Sequence, residues 1–279
     1  MSHITLATPQ PGLVGFKDQL ANTASQTYFN EEANQRGSGF GKMGMLQSTS
    51  FSAGASGSCA NIASKAGTHG VVSMTVKLTG TGGQSAAVGY GYYTTTRPII
   101  LSTTQRLLFQ VRMITNSIQL WTGTTRYIFM GIDDCTGITS PHTNAIGFKV
   151  DNTSFQGDRF VASPITRAAG VETKSNPPNA YFRKSTDTGD VARTYMFDMY
   201  YQSGAWKVDF YKLWETGTTV GSAGQWINLA THTTNIPSTA VLAPNIHDIT
   251  ISSSIGASGS EIIRFDYLSA RIIDSVKRF

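Results

Sequence analysis

Carboxylates, imidazoles and exposed aromatic rings are the groups of this sequence that could do chemistry, and their spacing limits what that chemistry is. Cleaving a glycosidic bond takes two carboxylates, about 5–5.5 Å apart for retention or about 6.5–9.5 Å apart for inversion. Two acids at i and i+2 on one strand would share a face. Asp133 and Asp134 are adjacent and so fall on opposite faces, while Asp198, Asp209 and Glu215 stand isolated. All of them read as solvated loop or strand-surface acids. The histidines His3, His69, His142, His232 and His247 lie in no Ser-His-Asp context, and no G-x-S-x-G elbow occurs. His247, beside Asp248, reads as an ordinary sheet or rim residue. Gly37-Ser38-Gly39-Phe40-Gly41 matches neither a P-loop nor a dinucleotide fingerprint, so no cofactor is expected. Trp121, in QLWTGTTRY, and Trp226, in SAGQWINLA, are candidates for stacking against a sugar. A Trp among Gly, Gln, Asn and Thr offers an apolar face with neutral donors beside it. The competing role for each is to plug a loop crossing, and Trp206 and Trp214 read as core.

The elements that must position these residues are strands. Val72, Met74, Val76 and Leu78 alternate with polar residues, as do Ile146, Phe148 and Val150. Leu107, Phe109, Val111 and Met113 form a third such run. Tyr195–Tyr201 and Trp206–Tyr211 alternate on either side of Gln202-Ser203-Gly204-Ala205, which predicts a β-hairpin. The last run, EIIRFDYLSARIID, is apolar on both faces and reads as an interior strand. The best helical stretch, Phe16 to Ala24, is short. The expectation is an all-β sandwich of two antiparallel sheets over residues 66–279. Residues 1–65, rich in Gly and Ser, are expected to be an irregular arm or first strands, with a role in assembly contacts.

Composition sets the outer limits. Charged residues are 14% of the 279, against about 25% in an ordinary soluble domain. Ser, Thr, Asn and Gly take their place, which suits strands, tight turns and a surface hydrated by neutral groups. The net charge of +5 comes from scattered Lys and Arg, with no basic stripe for nucleic acid. No apolar run approaches the ~18 residues of a membrane span. Met1-Ser2-His3-Ile4-Thr5 shows no signal-peptide pattern, so an outward-facing composition without a secretion signal suggests a virus particle. Cys59 and Cys135 either form one bridge or are two buried thiols, and the thiol reading is preferred.

GTHGVVSMTVKLTG, LLFQVRMI, YMFDMYYQSGAWKVDFYKLWETGTTV and IIRFDYLSARIID follow one another in an order that resembles concanavalin A-like (laminin-G-like) jelly-roll domains. The style resembles that of versions carried by structural proteins of tailed bacteriophages, and the similarity covers roughly residues 60 to 275. The resemblance implies a jelly-roll sandwich and a non-enzymatic virion protein of the head, a fibre or the tail. Its partners would be other virion proteins and further copies of itself, a trimer first. An alternative is a lectin-like module for host-surface glycan. A polysaccharide hydrolase is a third reading, weakened because E-x-D-x-x-E, the acid run of glucan-cleaving members, is missing. Plant-type lectins of this fold bind calcium through clustered Asp and Asn. Asp133, Asp134, Asp151 and Asn152, at the ends of two expected strands, are the matching candidates here. Calcium takes about 6–8 oxygens, so backbone and water would have to complete the site. Turn formation is the competing role of these residues.

Overall fold

Alternation along the sequence becomes two faces of a sheet in space. The computed structural model describes residues 26–32, 46–51, 55–62, 71–79, 84–91, 99–115, 124–134, 142–157, 159–214, 224–252 and 258–274. In chain order the first strands are β1 (Gln26–Glu32), β2 (Leu46–Phe51), β3 (Ser56–Ile62), β4 (Val71–Thr79), β5 (Ser85–Gly91) and β6 (Gln105–Thr115). There follow β7 (Thr124–Asp133), β8 (Ala145–Asp151), β9 (Phe155–Gln156), β10 (Arg159–Val161), β11 (Ser163–Ala168) and β12 (Val171–Lys174). The last are β13 (Tyr181–Lys184), β14 (Val191–Gln202), β15 (Ala205–Trp214), β16 (Gln225–His232), β17 (Ala243–Ser252) and β18 (Ser258–Asp274). Among the described residues the only helical element is a 3-10 turn, Asn152–Ser154.

An eight-stranded sheet runs β16-β15-β14-β6-β18-β4-β3, with β1 also paired to β18. A seven-stranded sheet runs β12-β11-β8-β7-β17-β5-β2, and β13-β10-β9 make a small third sheet. All the pairings are antiparallel. The stretch expected as an arm or first strands supplies β1, β2 and β3, and these join both large sheets. The expected helix at Phe16 to Ala24 lies outside the described residues.

Strand β18 is interior, between β6 and β4. Its register slips between Phe265 and Tyr267, a bulge that reverses which residues face inward. Ile263 and Phe265 face the core before it, and Leu268 and Ala270 after it. That reversal is why the segment looks apolar on both faces in one dimension. The expected hairpin is β14–β15, closed by Ser203 and Gly204 at φ 53° and 84°. Two consecutive positive φ angles give the turn whose twist matches antiparallel strands.

The core lies between the large sheets. Phe148 of the seven-stranded sheet meets Tyr195 at 5.1 Å and Phe210 at 5.4 Å, both from the eight-stranded sheet. Phe109 and Phe197 stack at 5.0 Å beside them. Aromatic pairs at such distances add about 0.5–1.5 kcal/mol each beyond burial. Trp206 packs against this core, but Trp214, at the end of β15, is 37% exposed rather than core.

Candidate functional site

Two groups of polar side chains among the described residues bear most directly on function. The first lies on the outer face of the eight-stranded sheet at its β14–β15–β16 edge. Val208 and Phe210 of β15 point to the core, so Asp209 and Tyr211 point out. Register sets Asp198 opposite Asp209, Tyr211 opposite Asn228, and Leu213 opposite Trp226. Tyr200, Asp209, Tyr211 and Trp226 are half-buried, and Asn228 and Thr231 are exposed. Asp209 is ringed by hydroxyls: Thr231 donates to its Oδ1 at 2.6 Å, and Tyr200 to its Oδ2 at 2.9 Å. Partial burial and the bond to Asp209 push the Tyr200 hydroxyl up to about 12, so it stays a donor.

Asp198, isolated in the sequence, is buried here and gripped by Arg106. The guanidinium donates from Nε to Oδ1 at 2.6 Å and from a terminal nitrogen to Oδ2. Both groups are raised, which favours the charge on Arg106 and disfavours it on Asp198. Arg106 is raised above its ordinary value chiefly by its bond to Asp198. The Asp198 carboxyl is also raised, because its burial outweighs the pull of Arg106. At 1% exposure, Asp198 is almost wholly withdrawn from water.

The second is a buried knot on the outer face of the seven-stranded sheet. Ile128, Met130 and Ile132 of β7 enter the core, so Phe129 and Asp133 face outward. β17 pairs with β7 and sets His247 opposite Phe129 and Asn245 opposite Gly131. His142 reaches the same spot from the connection before β8. That connection is tied down where Asp134 accepts the Asn144 backbone N–H at 3.0 Å and its amide at 2.8 Å. Asp133, His142 and His247 are 0%, 4% and 2% exposed. His247 Nε2 lies 3.1 Å and His142 Nε2 3.3 Å from the same oxygen, Asp133 Oδ2. Asn245 donates to the other oxygen, Oδ1, at 2.6 Å. The imidazoles stack at 4.9 Å, with Phe129 5.4 Å from His142. Burial holds the His142 imidazole below its ordinary pKa, against the pull of Asp133.

The four residues considered as calcium ligands do not converge. Asp133 pairs with Ala145 at one end of β7–β8, and Asp151 pairs with Tyr127 at the other. Six residues of strand separate them, roughly 20 Å at a strand's rise. Asp134 closes the connection to Asn144. Asp151 accepts from Thr153 at 2.9 and 2.7 Å and from Lys174 at 3.1 Å. Burial pushes Asp151 up, but these partners outweigh it and lower it to about 2. Asn152 accepts the Arg126 backbone N–H at 3.0 Å. An oxygen-rich calcium site does not fit this arrangement.

Trp226 lies on the half-exposed face just described. Trp121 and Cys135, and with Cys135 the question of a bridge to Cys59, lie outside the described residues. Of the two histidines the sequence does not single out, His247 is brought to Asp133 by the pairing of β7 with β17, and His142 by the connection between β7 and β8. The only local signal was that Asn245 and His247 alternate with the core residue Ile246. His232 has also acquired partners, Ser175 Oγ at 2.9 Å from Nε2 and Thr166 Oγ1 at 3.1 Å from Nδ1. Thr166 donates its own proton to Thr234 O, so Nδ1–H donates to Thr166 and Ser175 donates to Nε2. A hydroxyl rather than a carboxylate backs the ring, and burial lowers His232 to about 4. This reads as a latch between the sheets, because no negative charge is present to steady the imidazolium that base catalysis would form.

No protein-family model matches the chain, and no curated protein matches its sequence. Solved structures do. An endo-1,3-β-glucanase from Streptomyces sioyaensis superposes with TM-score 0.51 at 12% identity, over 90% of this chain and 98% of that one. The CBM2 module of the evolved Dit of Lactobacillus casei BL23 phage J-1 gives 0.45 at 12%, over 92% and 100%. Winged bean acidic lectin gives 0.42 at 13%, over 89% and 99%. The two large antiparallel sheets, and the superposition on the glucanase, make the architecture a concanavalin A-like jelly roll, a fold that serves unrelated functions. No helix among the described residues is long and apolar enough to cross a membrane.

Proposed function

We propose that this chain is a glycan-contacting structural protein of a tailed-phage particle, acting without bond cleavage and assembled there as a homo-oligomer, a trimer first. One observation carries the glycan reading. Along the outer face of β14–β15–β16 the half-exposed rings of Tyr200, Tyr211 and Trp226 form a row interleaved with Asp209, Asn228 and Thr231. Rings take the apolar face of a sugar while carboxylate, amide and hydroxyl groups read its hydroxyls. The particle setting rests on the sequence resemblance of residues 60 to 275 and on the charge-poor composition. Its partners would be other virion proteins that bury part of its surface.

The test is binding of the full chain to a glycan array and to host-surface polysaccharide. Trp226→Ala and Tyr211→Ala are expected to weaken binding about tenfold each, at about 1.4 kcal/mol per stacked ring. The bound polysaccharide should keep its length. No binding, or binding that survives both substitutions, sinks the glycan reading. Shortening of the polysaccharide that Asp209→Asn abolishes would make the chain a hydrolase. Absence of the chain from purified particles removes the structural role.

A further inference from the structure

We propose that Asp133, His142 and His247 form a buried site for a transition-metal ion of the zinc class. This stands apart from the glycan reading and concerns the opposite sheet. Three observations converge. The donor set is two imidazole nitrogens and one carboxylate oxygen, all within 4.8 Å of one another. Imidazole suits zinc and its neighbours in the first transition row, whereas calcium and magnesium call for oxygen. The spacing fits as well. Ligand bonds of about 2.0–2.1 Å in a tetrahedron put neighbouring donor atoms about 3.3 Å apart. Here the two Nε2 atoms stand 3.1 and 3.3 Å from Asp133 Oδ2.

The third observation is an unmet need. His142 Nε2 is buried 3.3 Å from the carboxylate, yet it makes no hydrogen bond. A buried nitrogen left without a partner costs about 1–3 kcal/mol. A cation between the imidazoles and the carboxylate would use that lone pair.

The surroundings are built to hold the carboxylate still. Asn245 fixes Oδ1 and so aims Oδ2 at the two rings, as the outer partners of metal ligands do. Gly91, opposite Asn245 in β5, makes this possible, since a Cβ there would lie 1.9 Å from Asn245 Oδ1. Three protein ligands leave a tetrahedral ion one position for a further donor. Once bound, the ion would fasten β17 to the connection that precedes β8. Because the ligands are buried, it would enter as the chain folds rather than exchange at the surface.

The experiment unfolds the full chain in chelator and denaturant. It is then refolded with zinc, with calcium or with no added ion, desalted, and its bound metal measured by mass spectrometry. About one zinc per chain is expected, with a rise in Tm of about 5 °C at zinc a hundredfold above Kd. Calcium should give neither. Cobalt(II) should replace zinc and show the intense visible absorption of a four-coordinate site. His142→Ala and His247→Ala should each abolish retention and the cobalt spectrum. His142 lies outside the strands, so His142→Ala is expected to fold, and circular dichroism checks this. Folded wild-type protein without zinc overturns the proposal. So does calcium binding as well as zinc, or full zinc stoichiometry in both histidine variants.

Discussion

Replacing Arg106 with Met tests whether Asp198 is a buried charge held by a single partner. Methionine keeps much of the aliphatic stem and removes the guanidinium. Breaking a buried ion pair costs about 3–5 kcal/mol, because one charge stays desolvated without its partner. The Asp198 side chain is 2% exposed, but that of Arg106 is 31% exposed, so water can partly replace it. That argues for a loss nearer 2–3 kcal/mol. The sign with pH follows from Asp198. Its folded pKa is already above the unfolded value, so its ionisation weakens the fold as pH rises through that window. Without Arg106 the shift grows, and protonation relieves more of the loss. The deficit should be full at pH 8 and much smaller near pH 4. The double variant Arg106→Met/Asp198→Asn should recover most of the stability at pH 8, since it buries no charge. Urea unfolding followed by fluorescence of the four tryptophans, extrapolated to water at each pH, reads all of this. A loss below about 0.5 kcal/mol, or one equal at both pH values, would refute the reasoning.

Other perturbations probe the remaining structure. Gly131→Ala would place a Cβ 2.2 Å from the Ile146 carbonyl oxygen and 2.7 Å from the Gly147 Cα, both backbone atoms. A loss of about 1–3 kcal/mol or more is expected in the same unfolding assay, and a neutral result would mean that β7 and β8 can separate freely. His232 is lowered to about 4, so the unfolded chain takes up a proton near pH 6.5 while the folded chain does not. Stability should therefore fall by up to about 3 kcal/mol between pH 6.5 and 4. His232→Gln should flatten that part of the pH profile, and an unchanged slope would show that the loss arises elsewhere.

Much of this architecture is legible in one dimension because strand period is local. Met74, Val76 and Leu78 face the core as their alternation says, and so do Ile146, Phe148 and Val150. The β14–β15 hairpin was visible because two alternating runs flank one turn. Trp214 is exposed although its run reads as core, because alternation tells which face a residue takes and not where the sandwich stops. Trp226 could be picked out by its neighbours, but Tyr211 and Asp209 join it only through the β15–β16 register, which slips between Phe210 and Tyr211.

By itself the sequence determined an all-β chain, its inward faces and its low charge, since each is a property of neighbouring residues. Tertiary structure decided which chemistry meets. Asp133 and His247 are 114 residues apart and touch because β17 lies beside β7. Asp133 and Asp151 belong to adjacent strands and stay apart because the hairpin runs them to opposite ends. A pattern of period two says which face each residue takes, but strand order and the residue that stands opposite across distant strands are set by the packing of the whole sandwich.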